Sequence, residues 1–74
     1  MFYLTIEELI PIKSYPQHYT LRHKIFRAKK YNTIINKIIA IIEKRYNYIP
    51  EYDFISNKLF RYGYISINHY RFDI

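Results

Sequence analysis

QHYTLRHKIFRAKKY, residues 17–31, decides how the rest of this 74-residue chain is read. Leu21, Ile25 and Ala28 stand at i, i+4 and i+7, one apolar stripe at helical spacing. At roughly 100° per residue, His23, Arg27 and Lys30 fall on the opposite side, with Tyr19 and Phe26 beside them. The spacing predicts a helix over Gln17–Tyr31 with a basic outer face. Upstream, Thr5-Ile-Glu-Glu8 offers the hydroxyl and carboxylate of a capping box, so a helix is expected to begin there. Pro11 and Pro16 keep that helix short, because proline removes a donor and restricts its predecessor.

The next stretch, NTIINKIIAIIEKRYNYIP (residues 32–50), has two readings. Apolar positions 34, 35, 38, 39, 41 and 42 fit a helix with Asn36, Lys37, Glu43 and Lys44 opposite. Isoleucine nevertheless favours strands, and a short apolar run bounded by polar residues also suits a buried strand. Beyond it, Glu51–Phe60 reads as a helix: Pro50 precedes it, Glu51 and Asp53 occupy its first turn, and Phe54, Ile55 and Leu59 form its apolar side. Tyr64, Ser66, Asn68 and Tyr70 alternate with Ile65, Ile67 and His69, the pattern of a strand. The only glycine, Gly63, marks a turn and a late hairpin.

A chain this short buries only about 60% of its unfolded surface, so one domain with a small core is expected over residues 1–74. That core must be isoleucine and tyrosine, since Ile occurs fifteen times, Tyr ten and Val never. The same vocabulary points to A+T-rich coding DNA, as in phages, viruses and mobile elements. Without cysteine there is neither a disulfide nor a thiolate metal site, and one glycine rules out a glycine-rich phosphate loop. His18 and His23 are wrongly spaced for two ligands on one helical face, and the acidic pairs read as helix N-terminal charges. Neither enzyme activity, metal, cofactor nor small-molecule substrate is therefore expected. The longest apolar run, Ile38–Ile42, is far short of a membrane helix, so a cytoplasmic protein associated with nucleoid or host DNA is the expectation. Formal net charge is +6, and it is concentrated: Lys13–Arg45 carries nine bases against Glu43 alone, a local +8. Clustering of this kind suits a polyanion partner better than a merely solubilising surface.

A short capped helix, a proline-bounded turn and a second helix with a basic face make the layout of a helix-turn-helix. Tyr3-Leu-Thr-Ile-Glu-Glu-Leu9, Tyr19-Thr-Leu-Arg-His-Lys-Ile25 and Lys44-Arg-Tyr-Asn-Tyr-Ile-Pro-Glu51 with Asp53-Phe-Ile55 resemble the small excisionases and MerR-type winged helix-turn-helix domains. The resemblance spans roughly residues 3–59 and implies an α+β, mainly helical fold with a β-hairpin wing. It favours strands at Lys37–Ile42 and Tyr46–Ile49 around a basic tip at Lys44-Arg45; the helical periodicity instead makes the hairpin near Gly63 the wing. Under either version Gln17, Thr20, Arg22 and His23 are expected to contact DNA bases. Lys13, Arg27, Lys29, Lys30, Lys44 and Arg45 are expected to hold phosphates. The implied function is that of a small sequence-specific duplex-DNA-binding protein of a phage, virus or mobile element. It would serve as an architectural factor or transcriptional regulator, with self-association or a recombinase or host protein as further partners. Two alternatives stay open: inhibition of a host protein through exposed tyrosines, and RNA or single-strand binding with Tyr62, Tyr64 and Tyr70 stacking on bases.

Overall fold

The computed structural model describes residues 1–74, the side chain of Pro16 excepted. Two long strands, β1 (Phe2–Ile12) and β2 (Tyr15–Ala28), precede two helices, α1 (Tyr31–Tyr46) and α2 (Tyr52–Tyr62). A short hairpin, β3 (Tyr64–Ile67) and β4 (Tyr70–Asp73), closes the chain. All strands pair antiparallel in one sheet of order β2-β1-β4-β3. Strand accounts for 44% of the residues and helix for 37%, so the fold is α+β without being mainly helical, and it is not a winged helix-turn-helix.

The correction falls on the first 28 residues. Thr5-Ile-Glu-Glu8 lies inside β1 and caps nothing. Gln17–Ala28 is strand, so the expected recognition helix does not exist. What wins is a hairpin ladder running without a break from Phe2 opposite Ala28 to Ile10 opposite Thr20. It satisfies the backbone groups that the two strands turn toward each other and places Leu4 and Ile6 in the core. Three apolar residues at helical spacing cannot match that burial. Lys13 and Ser14 form the turn. Pro11 and Pro16 flank this tip instead of bounding a helix.

For the apolar stretch, periodicity is the better guide. Residues 31–46 are one helix that buries Ile34, Ile35, Ile38 and Ile42 completely. The alternative hairpin of Lys37–Ile42 and Tyr46–Ile49 does not form, and Lys44-Arg45 is the last helical turn, where cations complement the helix dipole. Asn47 ends α1 in the left-handed region (φ 59°), its N–H donating to the Glu43 carbonyl at 2.9 Å. α2 falls where Glu51–Phe60 predicted it, shifted slightly, and Gly63 (φ 78°) is its C-terminal cap. The hairpin expected to turn at Gly63 does not form; a later one turns at Asn68 (φ 51°) and His69, so the expected strand through Tyr70 is split in two.

Both helices cover one face of the sheet. Leu4, Ile6, Ile65 and Phe72 meet Ile34, Ile35, Ile38, Ile42, Ile55 and Leu59 between the layers. Phe72 is the largest buried side chain. The opposite face of the sheet carries no covering layer, as antiparallel sheets commonly permit. No helix among the described residues is long and apolar enough to cross a membrane.

Candidate polyanion-binding groove

Strand alternation sorts the charges of β2. Successive side chains point to opposite faces, so each residue shares the face of its β1 partner. Arg22 lies opposite Glu8 and Lys24 opposite Ile6, both buried β1 residues on the helix side. His23 lies opposite Glu7 and Arg27 opposite Tyr3, on the open side. Arg22 and Lys24 therefore project beneath the flank of α1, where they line a groove of about 130 Å³ with Ile6, Glu8, Lys37, Ile41 and Tyr70.

On the α1 wall of that groove stands Lys37. Lys30 at the N-cap of α1 and Lys44 in its last turn are spaced seven residues to either side of it, which brings the three to nearly one line along the helix. At 1.5 Å per residue the row spans about 21 Å. Lys37, half-buried, lies over the Phe26 ring at 5.1 Å, which fixes its stem against the sheet. The groove's one acid is already occupied: Arg45 Nη2 sits 3.2 Å from Glu8 Oε2. Burial, reinforced by the neighbouring Glu8 carboxylate, raises the Tyr70 phenol above its ordinary value and keeps it neutral.

Elsewhere the charges balance. On the open face Arg27 and Arg71 offset Glu7 and Asp73, with Arg71 Nε 3.1 Å from Asp73 Oδ2. Around α2, Lys58 and Arg61 offset Glu51 and Asp53. The surplus of +6 thus comes from the groove, the three lysines spaced along α1, Lys29 and Lys13 at the hairpin tip, less Glu43. Of these, Arg22, Lys24 and Lys37 are brought together in the groove by folding.

The sequence-predicted contacts divide accordingly. Of the four expected base readers, Arg22 lies in the groove and Thr20 is on the same face of β2. His23 is on the opposite face, 3.7 Å from Glu7, and Gln17 is near the hairpin tip with Ser14, Tyr15 and His18. None of them is on a helix. Among the expected phosphate ligands, Lys30 and Lys44 belong to the row and Lys29 adjoins it. Lys13 is at the tip, Arg27 is on the open face, and Arg45 is committed to Glu8. Lys24 and Lys37, central to the groove, were not among the expected contacts. The heptad spacing of Lys30, Lys37 and Lys44 was the signal that could have found Lys37; Lys24 needed the register with β1. Of Tyr62, Tyr64 and Tyr70, expected to stack on bases, the first two line one surface hollow with Phe54 and Lys58, and Tyr70 lies apart from them in the groove. Tyr62 ends α2, Tyr64 lies under Arg71 on the open face, and Tyr70 stacks on Phe72 on the helix side (5.6 Å, 9°).

Among the described residues no three His, Asp or Glu side chains converge into a metal-binding group. Compared with protein-family models, curated proteins and solved structures, the chain has no match.

Proposed function

We propose that this protein binds double-stranded DNA along the α1/β2 groove, holding one phosphate backbone between the lysine row of α1 and the Arg22–Lys24 pair of β2. The carrying observation is that Arg22, Lys24 and Lys37 converge on one concave surface whose only acid, Glu8, is taken by Arg45. A row of about 21 Å faces roughly six base pairs of duplex, whose charge density is about one phosphate per 1.7 Å. Duplex is preferred over single strands because the groove lacks a free stacking platform. Its rings, Phe26 and Tyr70, are half-buried and engaged by Lys37 and Phe72. Base reading would come from the hairpin tip, since a two-stranded ribbon fits a major groove as a helix does. Beyond Leu9, which bonds to His69, the ribbon continues without support from β4 and carries Lys13, Gln17 and His18.

The test is the salt dependence of binding to random-sequence duplex, followed by fluorescence anisotropy. Five phosphate contacts give a slope of log K against log salt of about −4 to −5, and Lys24→Ala with Lys37→Ala makes it shallower by about 2. Retention on no nucleic acid at low salt, or a slope indifferent to the double substitution, would overturn the reading.

A further inference from the structure

The Leu9 N–H donates to the His69 carbonyl (2.9 Å), so the odd-numbered residues of β1 turn their backbone groups toward β4 and the even-numbered ones toward β2. On β2, it follows that Thr20, Arg22, Lys24 and Phe26 bond to β1. Tyr19, Leu21, His23, Ile25 and Arg27 direct N–H and C=O outward along the free edge of the sheet. The side chains of these same outward residues lie on the open face. Ile25 is 73% exposed and Leu21 49%, beside exposed Leu9 and Tyr3. A long edge with an apolar flank on one face and two cations on the other is an incomplete sheet.

We infer that the outer edge of β2 accepts an extended segment of a partner protein, in which acidic residues facing Arg22 and Lys24 alternate with apolar residues beside Leu21 and Ile25. Charge favours this occupant over a second copy of the chain. In the two-fold antiparallel pairing centred on His23, Arg22 of one copy opposes Lys24 of the other, and in that centred on Arg22 the two Arg22 side chains meet; like charges directly opposite are destabilising. Arg22 and Lys24 thus disfavour self-pairing about the middle of the edge, whereas they complement an acidic strand in any such register. Main-chain bonds supply the affinity of such strand addition, and alternate side chains supply its specificity. The inference does not rest on DNA binding, since its main-chain bonds lie along the strand edge; its acidic side chains would compete with DNA for Arg22 and Lys24.

The probe is a blocked nonapeptide alternating valine and glutamate, with backbone amide exchange of the protein read by NMR. In the free protein the amides of Leu21, His23 and Ile25 exchange quickly and those of Arg22 and Lys24 slowly. Saturating peptide is expected to slow the first three by roughly tenfold or more. The same peptide N-methylated at its valines, unable to donate to the edge, is expected to slow none of them. His23→Pro removes an N–H that β1 does not use and is expected to abolish protection at Leu21 and Ile25. If that variant unfolds, the N-methylated peptide still decides. The inference is overturned if the peptide protects none of the three amides, or if the N-methylated peptide protects them equally. It is equally overturned if they are slow without peptide in a manner that depends on protein concentration, which would assign the edge to a second copy.

Discussion

Replacing Arg45 by alanine strands the Glu8 carboxylate beneath the end of α1. The Glu8 side chain is only 10% exposed, whereas that of Arg45 is 54% exposed, and the pair is 3.2 Å apart. A wholly exposed pair is worth about 0.2–1 kcal/mol, and breaking a wholly buried one costs about 3–5 kcal/mol. This pair lies between, because water reaches the guanidinium and screens it while the carboxylate loses its partner in a nearly dry site. The expected cost of Arg45→Ala is about 1–3 kcal/mol. At about 4–8 °C per kcal/mol for a chain of this size, the melting temperature falls by roughly 4–24 °C. The reasoning is separable from lost arginine packing by changing Glu8 first. Glu8→Leu puts an apolar side chain beside Ile6 and Ile41 but takes the Tyr70 phenol's partner and the one acid among Arg22, Lys24 and Lys37, so it is expected to cost about 1–2 kcal/mol. In that background Arg45→Ala is expected to cost less than about 0.5 kcal/mol, since no stranded charge remains. Urea denaturation followed by circular dichroism measures all four proteins. Equal costs for Arg45→Ala with and without Glu8 would refute the account and reduce Arg45 to a surface residue.

The remaining expectations concern the core, the tyrosines and the cap of α2. Ile38→Ala, at a completely buried site, is expected to cost about 2–5 kcal/mol in urea denaturation. Ile25→Ala on the open face is expected to change stability by less than about 0.5 kcal/mol. Burial raises Tyr31 and Tyr70 above the ordinary 10.0, the Tyr31 effect being partly offset by a hydrogen bond with the Ser56 side chain. A raised folded-state value means that their contribution is complete below pH 10.0 and is lost as pH climbs through the folded-state values. In an alkaline absorbance titration Tyr31→Phe and Tyr70→Phe should each remove one proton from the part of the curve above pH 10.0. Gly63→Ala meets no atom within 4 Å, so its cost is backbone strain alone, about 1–2 kcal/mol less what the stiffer unfolded chain returns.

Charge clustering and α2 were legible because their signals are local; α1 was only half legible, since its helical periodicity competed with the strand preference of isoleucine and with the resemblance. Ile34, Ile35, Ile38 and Ile42 repeat at the spacing that one helix face requires, and Gly63 and Pro50 punctuate α2 as helix ends do. What misled was Thr5-Ile-Glu-Glu8, a true capping pattern whose Glu8 is needed instead as the partner of Arg45, some thirty-seven positions away. No local rule sees that pairing. The groove was half legible for the same reason: Arg22, Lys30 and Lys44 stood out by charge, but which cations share a face depended on whether β2 was helix or strand.

Why β2 escaped a strand reading has a sharper physical cause, and it bears on what the strand is for. A strand on a one-sided sheet ordinarily turns apolar residues to the core and polar ones to water. From Leu21 to Ile25, β2 does the reverse. Leu21 and Ile25 face the open side, and Arg22 and Lys24 face the helix side, where the flank of α1 leaves an open groove above them. Only Phe26 and Ala28, at its end, pack against the core in the usual sense. The ladder to β1 holds this segment although its side chains bury little, so its composition answers to something other than folding. Exposed isoleucine and leucine gain nothing from water, and two neighbouring cations gain nothing from one another. Each becomes favourable when the groove holds a polyanion or the edge holds an acidic and apolar strand. If substitution of Leu21 and Ile25 by threonine together with Arg22 and Lys24 by glutamine left both kinds of binding intact, the inverted pattern would have no functional meaning.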